Sequence, residues 1–204
     1  VAQRLHILHL DTGAMYRTVA LYMLRNGIDP QDEQTVSAHC GEADVRVAYR
    51  DGAQRTMLGG EDVSDLIRTG EVSAAASAIS KWPAVRRRMV AAQREIAATA
   101  DMLIDGRDIG TRVLIDAPVK IFLTATPEER ARRRYRQQIE KGDMTPYEQV
   151  LAELNARDAQ DMNRETDPLR QAEDAVLVDS TNMTPEQVVD AIIAVVEDVY
   201  GKRA

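Results

Sequence analysis

Four short apolar runs punctuate the chain: His6–Asp11 (HILHLD), Met102–Asp105 (MLID), Val119–Ala125 (VKIFLTA) and Ala175–Ser180 (AVLVDS). Each is rich in Val, Ile or Leu, and each gives way to polar or helix-starting residues. Apolar runs of this length, spaced by helical stretches, predict βαβ units and a parallel sheet. Helix starts are marked by one repeated device. Thr126-Pro-Glu-Glu129, Thr145-Pro-Tyr-Glu148 and Thr184-Pro-Glu-Gln187 each place a capping hydroxyl, a first-turn proline and an acid or amide at the reciprocal position. After Thr184 the sequence VVDAIIAVVEDVY carries apolar residues at helical spacing.

The stretch from Asp44 to about Lys81 breaks this pattern. Asp51-Gly52 sits between two alternating runs, which is a hairpin signal. Strands joined by a tight turn do not belong to a parallel sheet. Residues 40–99 therefore read as an insert with its own small antiparallel sheet and helices, set in a core formed by residues 1–39 and 100–204. The start of the chain is abrupt. VAQRL begins as a helix, yet HILHLD already reads as a strand, with no Gly, Pro or polar loop between them. Residues are expected to be absent between Leu5 and His6, and before Val1.

Composition narrows the classes. With 44% hydrophobic and 29% charged residues the chain reads as globular, and no apolar run approaches the roughly 20 residues of a membrane span. A net charge of −7 argues against general nucleic-acid binding. The single cysteine, Cys40, permits no internal disulfide and fits a reducing cytoplasm, and the three scattered histidines make no metal set. Arginine supplies 22 of the 26 basic residues. Guanidinium is the group for bidentate phosphate and carboxylate recognition, although a GC-rich genome would produce the same bias.

Candidate chemistry lies where strands end. LDTGAMYR (Leu10–Arg17) runs from strand to turn to helix, so Thr12 and Arg17 could face a ligand, or Asp11 or Thr12 could simply cap the helix. DGRDIG (Asp105–Gly110) puts Arg107 and Asp108 at a strand's carboxyl end, where open α/β sheets bind ligands and where unpartnered charge is costly. The helix bearing Arg130, Arg132, Arg134 and Arg136 is either a solvated face or a lid over phosphates. Arg157, Asp161 and Arg164 fall at helical spacing, as a salt-bridge ladder or as a carboxylate between two cations. Arg86, Arg87 and Arg88 enter a helix of the insert.

Together LDTGAMYR, GGEDVSDLIRTGEVSAAAS, DGRDIGTRVLIDAPVKIFLTATPEERARRRYRQ, RDAQDMNRE and EDAVLVDSTNMT resemble the bacterial cytidylate kinase family, P-loop nucleoside monophosphate kinases, over nearly the whole chain. The resemblance implies a doubly wound parallel α/β sheet with a CMP-binding insert and a short helical lid at about 128–146. It implies transfer of the ATP γ-phosphoryl group to CMP or dCMP, within pyrimidine nucleotide metabolism, in a cytoplasmic monomer. Arg17, Arg107 and Arg164 match arginines around the CMP phosphate. Ser77, Arg86 and Asp108 match the cytosine-reading set, Arg157 and Asp161 the ribose contacts, and Arg130 and Arg134 the lid over ATP; Thr12 conforms to the family's Ser or Thr. Arg107, Arg130, Arg134 and Arg164 are implied to stabilise charge during transfer, with Mg²⁺ arriving as Mg-ATP. The family's Walker A loop, GxxxxGK followed by Ser or Thr, does not occur in these 204 residues, nor does its preceding strand. A UMP kinase would share this frame without the Ser77, Arg86 and Asp108 set, whereas a catalytically inert nucleotide-binding module would lack the loop altogether.

Overall fold

A computed structural model describes residues 1–201. Helix α1 (Ala2–Leu5) leads into β1 (Leu8–Asp11) and α2 (Thr12–Arg25). Helix α3 (Glu33–His39), the strands β2 (Val45–Arg50), β3 (Ala53–Leu58) and β4 (Glu61–Asp62), and helices α4 (Gly70–Ile79) and α5 (Pro83–Ala97) follow. Strand β5 (Met102–Asp105) then ends in a π-helical turn (Ile109–Val113), and β6 (Ile121–Thr124), α6 (Pro127–Glu140), α7 (Tyr147–Asn163), β7 (Val176–Asp179) and α8 (Pro185–Tyr200) complete the chain.

All four apolar runs form strands, Met102–Asp105 over its full length and the other three trimmed, and they pair in parallel. The pairing is β1 with β5, Asp11 opposite Asp105, and β6 with β7, Thr124 opposite Asp179. One continuous sheet was the expectation; among the described residues the two pairs are separate two-stranded sheets, because no ladder joins β5 to β6. Strand β7 correspondingly keeps most of its length exposed. Residues 40–99 do carry an antiparallel three-stranded sheet, β2-β3-β4. Its hairpin turns at Asp51 and Gly52, both left-handed at φ 52° and 73°, the two-residue geometry that matches strand twist.

The core sits where α2 meets the 40–99 segment. Met15, Val19 and Met23 of α2 are sealed against Ile67, Val72, Ile79, Val85 and Met89. Burying such side chains supplies roughly 1.5–3 kcal/mol each, which fixes α2, and with it the end of β1, against α4 and α5. A side-chain clamp adds direction. Gln54 on β3 accepts from the Asp11 amide at 2.7 Å and donates to the Asp11 carbonyl at 3.3 Å, so the antiparallel sheet holds the end of β1.

From Leu5 the chain turns at once toward β1. His6 takes the left-handed conformation (φ 53°), and the Ile7 amide reaches back to the Ala2 carbonyl at 3.1 Å, so a Schellman closure turns the chain within one residue. The capping device works at Thr126 and, as a full reciprocal box, at Thr184, but not at Thr145. There the helix begins at Tyr147, and the Thr145 hydroxyl donates to Asp143 at 2.6 Å instead. At Thr126 the reciprocal acid is diverted as well, since Glu129 pairs with Arg132 and Arg133.

Candidate active site

The carboxyl ends of β1 and β5 lie side by side; β1 passes directly into α2 at Thr12, without the expected turn, and a short loop of residues 106–108 leaves β5. Asp11 caps α2 by accepting from the Ala14 amide at 2.9 Å, and it also accepts from Arg17 at 2.8 Å and pairs with Arg68 at 3.2 Å. Thr12 does not point freely outward. Its hydroxyl donates to the Asp105 carbonyl at 2.7 Å, tying the two strand ends together. Gly106 permits this closeness, since a Cβ there would lie 2.5 Å from the Thr12 oxygen and 2.8 Å from Ile109.

Past Gly106 the chain delivers Arg107 and Asp108 in different directions. Asp108 is buried and ion-pairs with Arg86 of α5, whose side chain is only 2% exposed. The Arg86 Nε also donates to Asp167 at 3.0 Å and one Nη to the Ser80 carbonyl at 3.0 Å, so each nitrogen of the guanidinium is engaged while two of its five N–H groups carry no bond. Burial opposes the Arg86 charge, yet its pKa is raised, because Tyr16, Asp108 and Asp167 outweigh that cost. Arg107 points to α7 and donates to Asp161 at 3.1 Å.

Asp161 is a second hub, almost wholly buried, accepting also from Arg164 at 3.4 Å. The anticipated stripe along one helix face is altered here. Helix α7 ends at Asn163, and Arg164 is its extended C-cap, held by an Nε donation to the Asp167 carbonyl at 2.7 Å. Arg157 makes no hydrogen bond or ion pair among the described residues. Three arginines of this group are held below their ordinary pKa. Burial is the first cause each time, opposed by Asp11 and joined by Arg68 for Arg17, by Arg107 for Arg157 and by Arg86 for Arg164. Arg157 is nonetheless open to solvent along much of its length. Two donors inside the cluster, Arg17 Nε and Arg164 Nη2, are buried without a partner. Crowded guanidiniums with orphaned N–H groups form a site built for an anion.

Not every expected residue joins this cluster. The Ser77 hydroxyl accepts from Gln160 at 3.2 Å and touches neither Arg86 nor Asp108 through a hydrogen bond. Arg130 turns to Asp158 on α7 at 2.6 Å, and Arg134 stays exposed on α6. Other residues in the site escaped sequence reading. Tyr16 lies among Arg86, Asp108, Arg164 and Asp167, its hydroxyl buried without a partner and its pKa raised to about 12, chiefly by burial. Asp167 holds Arg86, Arg112 and Arg164 while its own backbone is left-handed (φ 48°) immediately before Pro168. That left-handed backbone at an arginine-binding hub had only the Asp-Pro turn dipeptide as its signal.

A family model described as cytidylate kinase matches residues 1–198. The chain belongs to the cytidylate kinase family. A cytidylate kinase of Mycobacterium avium is 51% identical over 191 residues, covering 93% of this chain and 84% of that one. One of Caldicellulosiruptor bescii is 46% identical over 193 residues (95% and 85%), and one of Corynebacterium diphtheriae 46% over 198 (97% and 86%). Membership gives the arginine cluster a chemical context: a mixed α/β kinase frame with phosphate-bearing substrates. No helix among the described residues is long and apolar enough to cross a membrane.

Proposed function

We propose that the cluster of Arg17, Arg107, Arg157 and Arg164 holds the phosphate and ribose of CMP, while Arg86 and Asp108 read its base. The activity is that of a cytidylate kinase, which moves the ATP γ-phosphoryl group to CMP or dCMP and yields CDP or dCDP and ADP. The orphaned Arg17 Nε and Arg164 Nη2 carry the assignment, because a phosphate is the ligand that satisfies buried guanidinium donors without adding buried polar cost. The monophosphate's oxygen attacks in line, and the enzyme supplies position and charge stabilisation rather than a covalent intermediate. Arg107 and Arg164 work from the acceptor side, and Arg130 and Arg134 from a lid formed by residues 128–146. Residues 40–99 serve as the CMP-binding insert on the doubly wound core of 1–39 and 100–204, with Ser77 at the base and Thr12 setting the loop. Mg²⁺ would arrive on the ATP phosphates, an ion that keeps phosphate and water ligands and would neutralise their charge.

The base assignment has direct chemical content. Cytosine presents an amino donor at position 4 and acceptors at N3 and O2, whereas uracil presents a carbonyl and an N3 proton. A carboxylate accepts and a guanidinium donates, so the Asp108–Arg86 pair fits cytosine and opposes uracil. Sites of this kind reject the mismatched analogue by up to about 10⁴-fold. Measuring kcat/KM for CMP and UMP in the parent and in Asp108→Ala tests it. CMP turnover should fall far more than UMP turnover, and an unchanged ratio would assign Asp108 to holding Arg86 alone.

A further inference from the structure

A second basic concavity lies on the other side of Arg86. It has a volume of about 280 Å³ and is lined by Arg86, Arg87 and Arg94 of α5, by Arg112 of the π-helical turn, and by Thr166 and Asp167. Four guanidiniums thus face one carboxylate, on a chain whose net charge is −7. Arg86 is already taken by Asp108 and Ser80. The other three are not. Arg94 spends Nε and one Nη on the carbonyls of Val113 and Arg112, at 2.9 and 2.8 Å, which fixes the turn bearing Arg112 and leaves its second Nη open. Arg112 has a single ion pair, to Asp167 at 3.3 Å, and is half exposed. The Arg87 side chain makes no hydrogen bond or ion pair among the described residues.

We infer that this groove is a second anion site, taking a pyrophosphate-sized oligophosphate through Arg87, Arg94 and Arg112. Three guanidiniums from two elements, one braced by the backbone of the other, give the forked donor geometry that linked phosphoryl groups match. The remaining lining, Pro83, Val90, Ala91 and Thr166, has no aromatic ring on which a nucleobase could stack, which favours the free anion over a nucleotide's phosphate tail. Asp167 is shared with Arg86, so the groove borders the monophosphate site without using its free donors.

The test is calorimetric titration of pyrophosphate into the full chain already saturated with CMP, which occupies the arginine cluster proposed for its phosphate. One further anion per chain should bind. Arg87→Gln should weaken it about tenfold and Arg87→Gln with Arg112→Gln about a hundredfold, the factor a charge-assisted hydrogen bond carries each time. Arg132→Gln on α6 should leave it unchanged. Because Arg87 has no partner to lose, its single variant keeps its fold and the test remains decisive. Absence of the extra anion, or equal binding in the Arg87 variant, would return these arginines to ordinary solvated charge. A nucleoside diphosphate in place of pyrophosphate should bind no better, and much tighter binding would overturn the assignment to a free oligophosphate.

Discussion

Gly106→Ala probes how the two loops are locked together. The new Cβ would stand 2.5 Å from the Thr12 hydroxyl oxygen, 2.8 Å from Ile109 Cδ1 and 3.0 Å from its Cγ1. Ile109 begins the π-helical turn, and Thr12 is buried with its hydroxyl on the Asp105 carbonyl. Neither neighbour is the loose end of a long side chain, so the backbone must move. Overpacking of this kind costs about 1–3 kcal/mol. Loss of the Thr12 hydrogen bond adds about 0.5–1.5 kcal/mol. Together these give roughly 2–4 kcal/mol, or about 4–16 °C in melting temperature for a domain of this size. Arg107 and Asp108 follow directly, so CMP affinity should fall as well. Thermal unfolding of Gly106→Ala, Thr12→Ala and the double variant is the assay. Removing the hydroxyl removes the closest clash, so the double variant should cost less than the two singles combined, by about 1 kcal/mol. A Gly106→Ala protein that melts within a degree of the parent, or strict additivity, would refute the close packing of the strand ends.

Asp161→Ala should weaken CMP binding by about 10- to 100-fold, the value of a lost charge-assisted hydrogen bond, and leave ATP binding nearly unchanged. Equal CMP titrations would reduce the Arg107–Asp161–Arg164 hub to a structural ion cluster. Tyr16→Phe should stabilise the unliganded protein by about 1 kcal/mol, since it removes a buried hydroxyl with no partner. The pH sign is fixed as well. The folded pKa of about 12 lies above the free phenol's 10.0, so ionisation of Tyr16 leaves stability untouched below pH 10 and lowers it as pH rises toward 12. The parent should therefore lose stability across that window more steeply than the Phe variant in denaturant titrations.

Strands and helix caps were legible where local chemistry decides them. Met102–Asp105 ends where the apolar run ends, and the Asp51-Gly52 hairpin follows from two residues that tolerate positive φ. Thr145 misled because Asp143, two residues earlier, competes for the same hydroxyl and amide. The arginines and Asp108 stood out in the sequence by strand-end position, helical spacing and family resemblance. Their pairing did not. That Asp161 joins Arg107 across 54 positions, or that Asp167 joins Arg86 across 81, depends on how α7 and the loop after it pack, which no spacing rule carries. Ser77, named through the resemblance alone, and Arg130, singled out by helical spacing, bond to Gln160 and Asp158, partners that neither signal pointed to.

The central claim is that the arginines at the ends of β1, β5 and α7 hold a cytidine nucleotide by its phosphate. Calorimetric titration of the protein with CMP, cytidine and UMP tests it most directly. Two charge-assisted hydrogen bonds to the orphaned donors of Arg17 and Arg164 should give about 3–6 kcal/mol, so CMP should bind about 10²–10⁴-fold tighter than cytidine. UMP should bind more weakly than CMP. Cytidine binding as tightly as CMP would show that these guanidiniums hold no phosphate and would contradict the assignment.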